Sequence, residues 1–212
     1  MKKLIDLSQW ERRAHFDFFK NFQEPFFGVT VEVDCTLAYE EAKRHAYSFF
    51  LYYLHQSLTA VNQVDAFKLR ILGNEVWRYD QVNASPTINR PDGTFGFAYM
   101  AYEKDFFIFQ QKAKVVIEHM EHTHGLVPAL TGENVIHYSS IPWIRFTGLS
   151  HARSYTHPDS IPKISFGKMT EENGKKKMPM SVHAHHGLMD GWHVGQYIDR
   201  FQELMNNRGQ RA

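Results

Sequence analysis

Ser181-Val182-His183-Ala184-His185-His186-Gly187-Leu188-Met189-Asp190-Gly191-Trp192-His193 is the stretch on which the fold of this chain turns. Extended as a strand, it places Met180, Val182, Ala184 and His186 on one face, and Ser181, His183 and His185 on the other. Three apolar residues precede His186 on its own face, so its imidazole emerges from a buried surface at a strand end, just before Gly187. Asp190 then suits a helix N-cap, and Gly191 suits a tight turn or a close backbone approach. Taken alone, His-x-x-x-Asp-Gly also describes a core histidine beside a capping aspartate, and that plainer alternative is the commoner one. His183 and His185, at i and i+2, form a conceivable zinc pair. Gly187 nevertheless stands where the metallo-hydrolase pattern His-x-His-x-Asp-His needs its aspartate, so no metal is expected.

Working outward, Asn173-Gly174 is a strong signal for a two-residue hairpin, and it lies between strand-like segments at 161–168 and 178–185. Further strand-like runs lie at 28–34, 67–72, 95–100, 135–138 and 143–146. The turn-rich stretch 83–96 reads as a loop within a domain. Helical spacing marks three segments. One runs from about Thr36 through the apolar stripe Ala46, Phe49, Phe50, Tyr53, Leu54, Ser57, Leu58 and Val61, as the longest helix. The second carries Phe106, Phe109, Ala113, Val116, Ile117 and Met120, and the third Val194, Tyr197, Ile198, Phe201 and Leu204. Strands interleaved with a few long helices, without regular βαβ alternation, predict an α+β fold: a mixed sheet with helices packed on one side. No repeat or linker divides the sequence, so residues 1–212 are expected to form one domain.

Composition narrows the function classes. With 24 Lys+Arg against 23 Asp+Glu, the charge is near balance, unlike the basic excess of a nucleic-acid binder. No apolar run approaches the ~18 residues of a membrane helix, and no signal peptide follows the Met1-Lys2-Lys3 start, so no membrane partner is expected. The single cysteine, Cys35, has no internal disulfide partner and fits a reducing, cytoplasmic setting. Two surpluses remain, 13 histidines and an aromatic set of 17 Phe, 10 Tyr and 4 Trp, the latter suited to walling a pocket. His119, His122 and His124 close the second helix beside acidic residues and read as a solvated helix end.

The His185-His186-Gly187-Leu188-Met189-Asp190-Gly191 run resembles the His-His-x-x-x-Asp-Gly motif of coenzyme A-dependent acyltransferases. Four more segments make the resemblance specific to the chloramphenicol acetyltransferase family. Ser8 to Phe16 resembles its Trp-x-Arg-x-x-His-Phe segment, and Glu75 to Val82 its Trp-Asp-Ser-Val strand with a shift. Ser139-Ser140-Ile141-Pro142-Trp143 resembles its Ser-x-x-Pro-Trp. The segment 162–168 resembles its Pro-x-x-Thr-x-x-Lys, with Ser165 at the threonine position. The matches stay in order over nearly the whole chain, whose length suits one copy of the acyltransferase fold rather than a two-lobed relative.

The resemblance implies a two-layer sandwich, a homotrimer with active sites at subunit interfaces, and acetyl transfer from acetyl-CoA, a co-substrate rather than a resident cofactor, to a hydroxyl of chloramphenicol. His186 matches the family's general base and Ser139 its oxyanion serine, with neighbouring Ser140 as the competing candidate. Asp190 and Arg12 match its buried ion pair, whose disruption is expected to cost ~3–5 kcal/mol. Trp143, Ser139, Ser165 and Lys168 match coenzyme-side positions, with the Ser165 hydroxyl holding an ordered water. Phe19, Phe95, Val127 and Ser165 fall at acceptor-pocket positions. Phe19 replaces a tyrosine, Val127 a phenylalanine, and Gly148 to Ser154 takes the place of an Asn-Leu-Asn segment. These departures leave two alternatives: the same chemistry on another hydroxyl or amine, or a non-catalytic, small-molecule-binding trimer of the same fold.

Overall fold

The structure is a computed structural model and describes residues 1–126, 132–154 and 159–207. In chain order the first elements are β1 (Lys2–Leu4), α1 (Arg13–Phe19), β2 (Phe26–Asp34), α2 (Thr36–Arg44), α3 (Phe49–Gln63), β3 (Leu69–Leu72), β4 (Glu75–Tyr79), β5 (Asn83–Asn89) and β6 (Phe95–Phe97). They are followed by α4 (Phe106–Glu121), β7 (Val135–Ser140), β8 (Lys163–Phe166), β9 (Thr170–Glu172), β10 (Lys175–His185) and α5 (Gly191–Asn206). The main sheet runs β2-β10-β8-β7-β5-β6, with β9 paired to the start of β10, and β1-β4-β3 form a smaller sheet. Pairs β5–β7 and β7–β8 are parallel and the others antiparallel, so the sheet is mixed.

The predicted hairpin forms. Asn173 and Gly174 take φ of 52° and 74°, the two left-handed residues of a tight turn between β9 and β10. From there β10 sends Met178, Met180, Val182 and Ala184 into the main core, where they meet Ile136, Tyr138, Ile164 and Phe166 of β7 and β8. Leu51, Leu54, Leu58 and Val61 of α3 and Val194, Tyr197, Phe201 and Met205 of α5 cover them from above. Each large apolar side chain so buried gains roughly 1.5–3 kcal/mol of transfer free energy, before the entropy of ordering it. Helices α2 and α4 join the same layer through Ala38, Ala42, Phe109 and Ala113, which gives the two-layer α+β sandwich expected. A polar tie crosses the layers: Ser57 Oγ on α3 bonds the Tyr138 and Tyr197 hydroxyls at 3.0 and 2.7 Å. Helix α1 stands apart, packing Phe16 against Leu69, Val76 and Leu188 beside the small sheet.

Three sequence expectations are corrected. The long helix from Thr36 is two helices, because the chain reverses at Ala46, whose φ is 54°. The Tyr47 amide donates to Ala42 and the Ala46 amide to Lys43, the paired bonds of a Schellman cap, and Ser48 then caps α3 through Leu51. The stretch 83–96 is no simple loop, since it holds β5 in the interior of the main sheet. Pro86 is tolerated there because its carbonyl, which proline retains, accepts from Ala98, while the missing amide is the only ladder group lost. The run 143–146 is not a strand; the Ile144 amide folds back to Ile141, and Trp143 and Ile144 are exposed.

Ala46 carries a Cβ where glycine is favoured, so Ala46→Gly is expected to stabilise the fold by about 0.5–1 kcal/mol. Thermal unfolding checks this: a Tm raised by a few degrees is the expected outcome, and a lowered Tm contradicts the assignment of the turn.

Candidate active site

At its end β10 runs into a compact turn. The His186 amide donates to the Pro25 carbonyl at 2.8 Å, and the Leu188 amide donates to His185 at 2.9 Å. The Gly187 amide donates to His185 Nδ1 at 3.1 Å, which commits the first histidine of the pair to the backbone. His186 is left half-buried between two aromatic rings. Phe19 of α1 stacks parallel to its imidazole with centroids 4.3 Å apart, and Phe27 of β2 tilts against it at 4.7 Å. A flat ring held between flat rings keeps one orientation, which a group that moves protons requires.

The backbone of His186 is also clamped. Arg12 Nη2 donates to the His186 carbonyl at 3.2 Å, while Arg12 Nη1 donates to Asp190 Oδ2 at 2.6 Å. Asp190 is in turn the N-cap of α5: its Oδ1 accepts from the Trp192 amide at 3.1 Å and lies 2.9 Å from His193 Nδ1. Partial burial pushes this carboxyl up, but hydrogen bonds from Arg12 and His193 outweigh it and hold the group well below the usual carboxylate range. The structure therefore brings Arg12 and Asp190, the pair that the resemblance implied, together with the His186 backbone. The pair is less buried than expected, with side-chain exposures of 15% and 31%, and solvent screening reduces its worth below that of a fully buried ion pair.

The serines lie elsewhere. Ser139, Ser165 and Ser181 are register neighbours across β7, β8 and β10, and alternation puts them on the sheet face away from the helices. Alternation also separates Ser139 from Ser140. Ser140 Oγ is 2.6 Å from the Tyr53 hydroxyl on the helix side, whereas Ser139 lines a cavity of about 740 Å³ on the open face. Phe95 lines that cavity too, joined by Phe97 at 5.6 Å edge to face. Val127 lies outside the described residues. Ser165 has no exposure, and its Oγ sits 3.4 Å from His151 Nε2, so its hydroxyl faces an imidazole rather than open space. Trp143 is 66% exposed on the 141–144 turn, and Lys168 is exposed beside it, its amide donating to Ile144 at 2.8 Å. The two thus lie close together on the surface at the ends of β7 and β8.

Within one chain, His186 and Ser139 do not meet. Ser139 is two strands from Ser181 and His186 is five residues beyond it, so the two lie roughly 10 Å apart across the sheet and 16 Å along it. No single thioester carbonyl is reached by both.

Residues 2–202 match the sequence profile of the family described as chloramphenicol acetyltransferase. The chain belongs to the chloramphenicol acetyltransferase family. Chloramphenicol acetyltransferase 3 of Escherichia coli is 29% identical to it over 206 residues, spanning 96% of this chain and 97% of the relative. The chloramphenicol acetyltransferase of Proteus mirabilis is 27% identical over 201 residues, spanning 94% and 93%. A solved structure of a chloramphenicol acetyltransferase matches with a TM-score of 0.90 at 29% identity, covering 97% of this chain and all of that one.

Histidine use in this chain goes beyond His186. His137 and His151 line the cavity with Ser139, and His183 packs edge-on against His151 with centroids 4.8 Å apart. His137 was legible in part, since it lies two residues before Ser139 and shares its face. His151 carried no spacing signal, because only the folded loop brings it to Ser165. His119, His122 and His124 are exposed, as expected. Among the described residues no three His, Cys, Asp or Glu side chains are grouped to hold a metal ion. No helix of the described residues is long and apolar enough to cross a membrane. Lys163, which also lines the cavity, is paired with Asp159.

Burial, reinforced by nearby cationic groups, pushes His137, His151 and His185 down to about 4 from an ordinary 6.5. The folded chain keeps these rings neutral while the unfolded chain protonates them, so their contribution is complete above pH 6.5 and is lost as pH falls toward 4. Asp190 adds in the same direction below the usual carboxylate range. Denaturant unfolding between pH 7 and 4 is therefore expected to show falling stability, with a shallower slope in His137→Asn. A flat profile contradicts the neutral assignment.

Proposed function

We propose that the chain is a single-domain, cytoplasmic acetyltransferase that moves the acetyl group of acetyl-CoA to a hydroxyl of chloramphenicol, working as a homotrimer. The observation that carries the reading is the separation of the two catalytic candidates. His186 is oriented by Phe19, Phe27 and the Arg12–Asp190 clamp, Ser139 opens into a cavity on the other sheet face, and neither serves the other within one chain. A site that closes between two copies supplies both at once, with His186 from one subunit and Ser139 from its neighbour.

A neutral alcohol is a poor nucleophile, so its proton must leave as oxygen attacks the thioester carbonyl. The His186 imidazole takes that proton. The carbonyl electrons move onto oxygen, and the resulting oxyanion accepts a hydrogen bond from the Ser139 hydroxyl. As the tetrahedral species collapses, the carbon–sulfur bond breaks and His186 returns the proton to the departing thiolate. Arg12 and Asp190 are positioning residues here, acting on the His186 backbone and on the start of α5. Trp143 and Lys168 offer an aromatic face and a cation to the coenzyme.

Two features favour a second acceptor class. Phe19 offers no hydroxyl where the family has tyrosine, and His137 and His151 place imidazoles in the pocket. The same transfer to another hydroxyl or amine compound is the alternative.

Thiol release from acetyl-CoA tests both. Turnover with chloramphenicol or another acceptor is expected to fall by at least ~10²–10⁴ in His186→Ala and by ~10²–10³ in Ser139→Ala, with folding and oligomeric size unchanged. An unaltered rate in His186→Ala removes the imidazole from the mechanism. Turnover only with acceptors other than chloramphenicol selects the second reading.

A further inference from the structure

Gly28 and His183 stand opposite each other in the β2–β10 ladder and fit as a pair. A Cβ on residue 28 would lie 2.5 Å from His183 Nε2, so glycine is what lets the imidazole lie across the neighbouring strand. Seated there, His183 is engaged at both nitrogens. Its Nε2 is 3.1 Å from the Leu149 carbonyl and its Nδ1 is 3.3 Å from Ser181 Oγ. A carbonyl only accepts, so Nε2 carries the proton and donates to Leu149, while Nδ1 accepts from the Ser181 hydroxyl. His183 is thereby a fixed neutral peg that pins the loop at Leu149.

Two residues further on, the same loop presents His151. Its ring abuts His183 at 89°, its Nε2 is 3.4 Å from Ser165 Oγ, and it lines the cavity that holds Ser139. The sequence resemblance also marks Gly148 to Ser154 as one of the stretches that differ from the family pattern. We infer that His151, held by His183 and Gly28, is a specificity-determining residue that selects acceptors bearing a second hydrogen-bonding group, a hydroxyl or amide, beside an apolar body. The inference rests on the acyl-transfer reading of this cavity.

The rest of the cavity offers both kinds of surface. Phe95, Phe97, Val135 and Ile161 supply apolar lining, and Ser85, Thr87, Glu133, His137 and Lys163 supply polar lining beside His151. A neutral imidazole offers one donor and one acceptor, and Ser165 engages one of them. Burial, with His183 and Lys163 nearby, keeps the ring neutral at physiological pH. A site built to bond a substrate hydroxyl rejects an analogue that lacks it, because the site's own polar group is then left unpaired.

Matched acceptor pairs test this: chloramphenicol against its analogue with the secondary hydroxyl replaced by hydrogen, and 1-phenyl-1,3-propanediol against 3-phenyl-1-propanol. Thiol release gives kcat and KM for wild type, His151→Leu, His151→Asn, His183→Ala and His186→Ala. Wild type is expected to favour the diol of a pair by about tenfold or more in kcat/KM, mainly through KM. In His151→Leu and His183→Ala the ratio collapses toward one, and in His151→Asn, which keeps a donor and an acceptor, most of it returns. His151→Ala provides the same test if the leucine variant does not fold. A ratio equal in wild type and His151→Leu, with turnover still dependent on His186, overturns this inference alone. Absence of turnover with every acceptor, or its persistence in His186→Ala, overturns the acyl-transfer reading beneath it.

Discussion

Strict alternation along β10 is the constraint from which the site follows. Met178, Met180, Val182 and Ala184 must face the helices to complete the core, and that fixes Ser181, His183 and His185 on the opposite face. A slip of one residue would turn the polar set toward the helices and the apolar one away from them, so the register is held by the whole core. Because β10 pairs with β2, β8 and β9, its register also sets where Ser165 and, one strand further, Ser139 are presented. His186 comes just after the strand ends, where ladder bonding stops and Arg12 takes over by gripping the His186 carbonyl and Asp190 together.

The same constraint keeps His186 and Ser139 apart within one chain. The histidine lies at one end of the sheet, packed on aromatic rings. The serine lies near the middle, on the open face, above an apolar and histidine-lined cavity. Each half is held by ordinary packing, and no loop motion of ångström size bridges them. On the proposed reading, assembly of copies joins the base to the oxyanion donor and makes activity depend on association.

The parts of this arrangement that local rules govern were legible in the sequence. The Asn173-Gly174 turn, the stripes of α4 and α5 and the apolar face of β10 all follow from propensity and period. The Arg12–Asp190 pairing was legible only through motif resemblance, since 178 residues separate the partners. Other features were hidden for physical reasons. The apolar stripe runs on through the break at Ala46, so periodicity alone joins α2 to α3, and only the paired capping bonds show the stop. Strand β5 looks like a loop because Pro86 and its polar neighbours mask a segment buried by β6 and β7. Trp143 and Ile144 look like strand residues yet are exposed on a turn. The histidine cluster depended on a loop conformation that Gly28, in a distant strand, permits. Of the twelve histidines besides His186, His137 was hinted at by its place two residues before Ser139, whereas the contact of His151 with Ser165 and His183 is set by tertiary structure alone.

The central claim is that a working site takes His186 from one copy and Ser139 from another. Co-expression of His186→Ala and Ser139→Ala chains, followed by thiol-release assay of the mixed oligomer, tests it most directly. Each parent alone lacks one half of every site. Random assortment in the mixture rebuilds about a quarter of the sites with both groups intact, so activity near a quarter of wild type is the predicted result. A mixture no more active than its parents would show that the two residues do not meet across subunits, and would contradict the account.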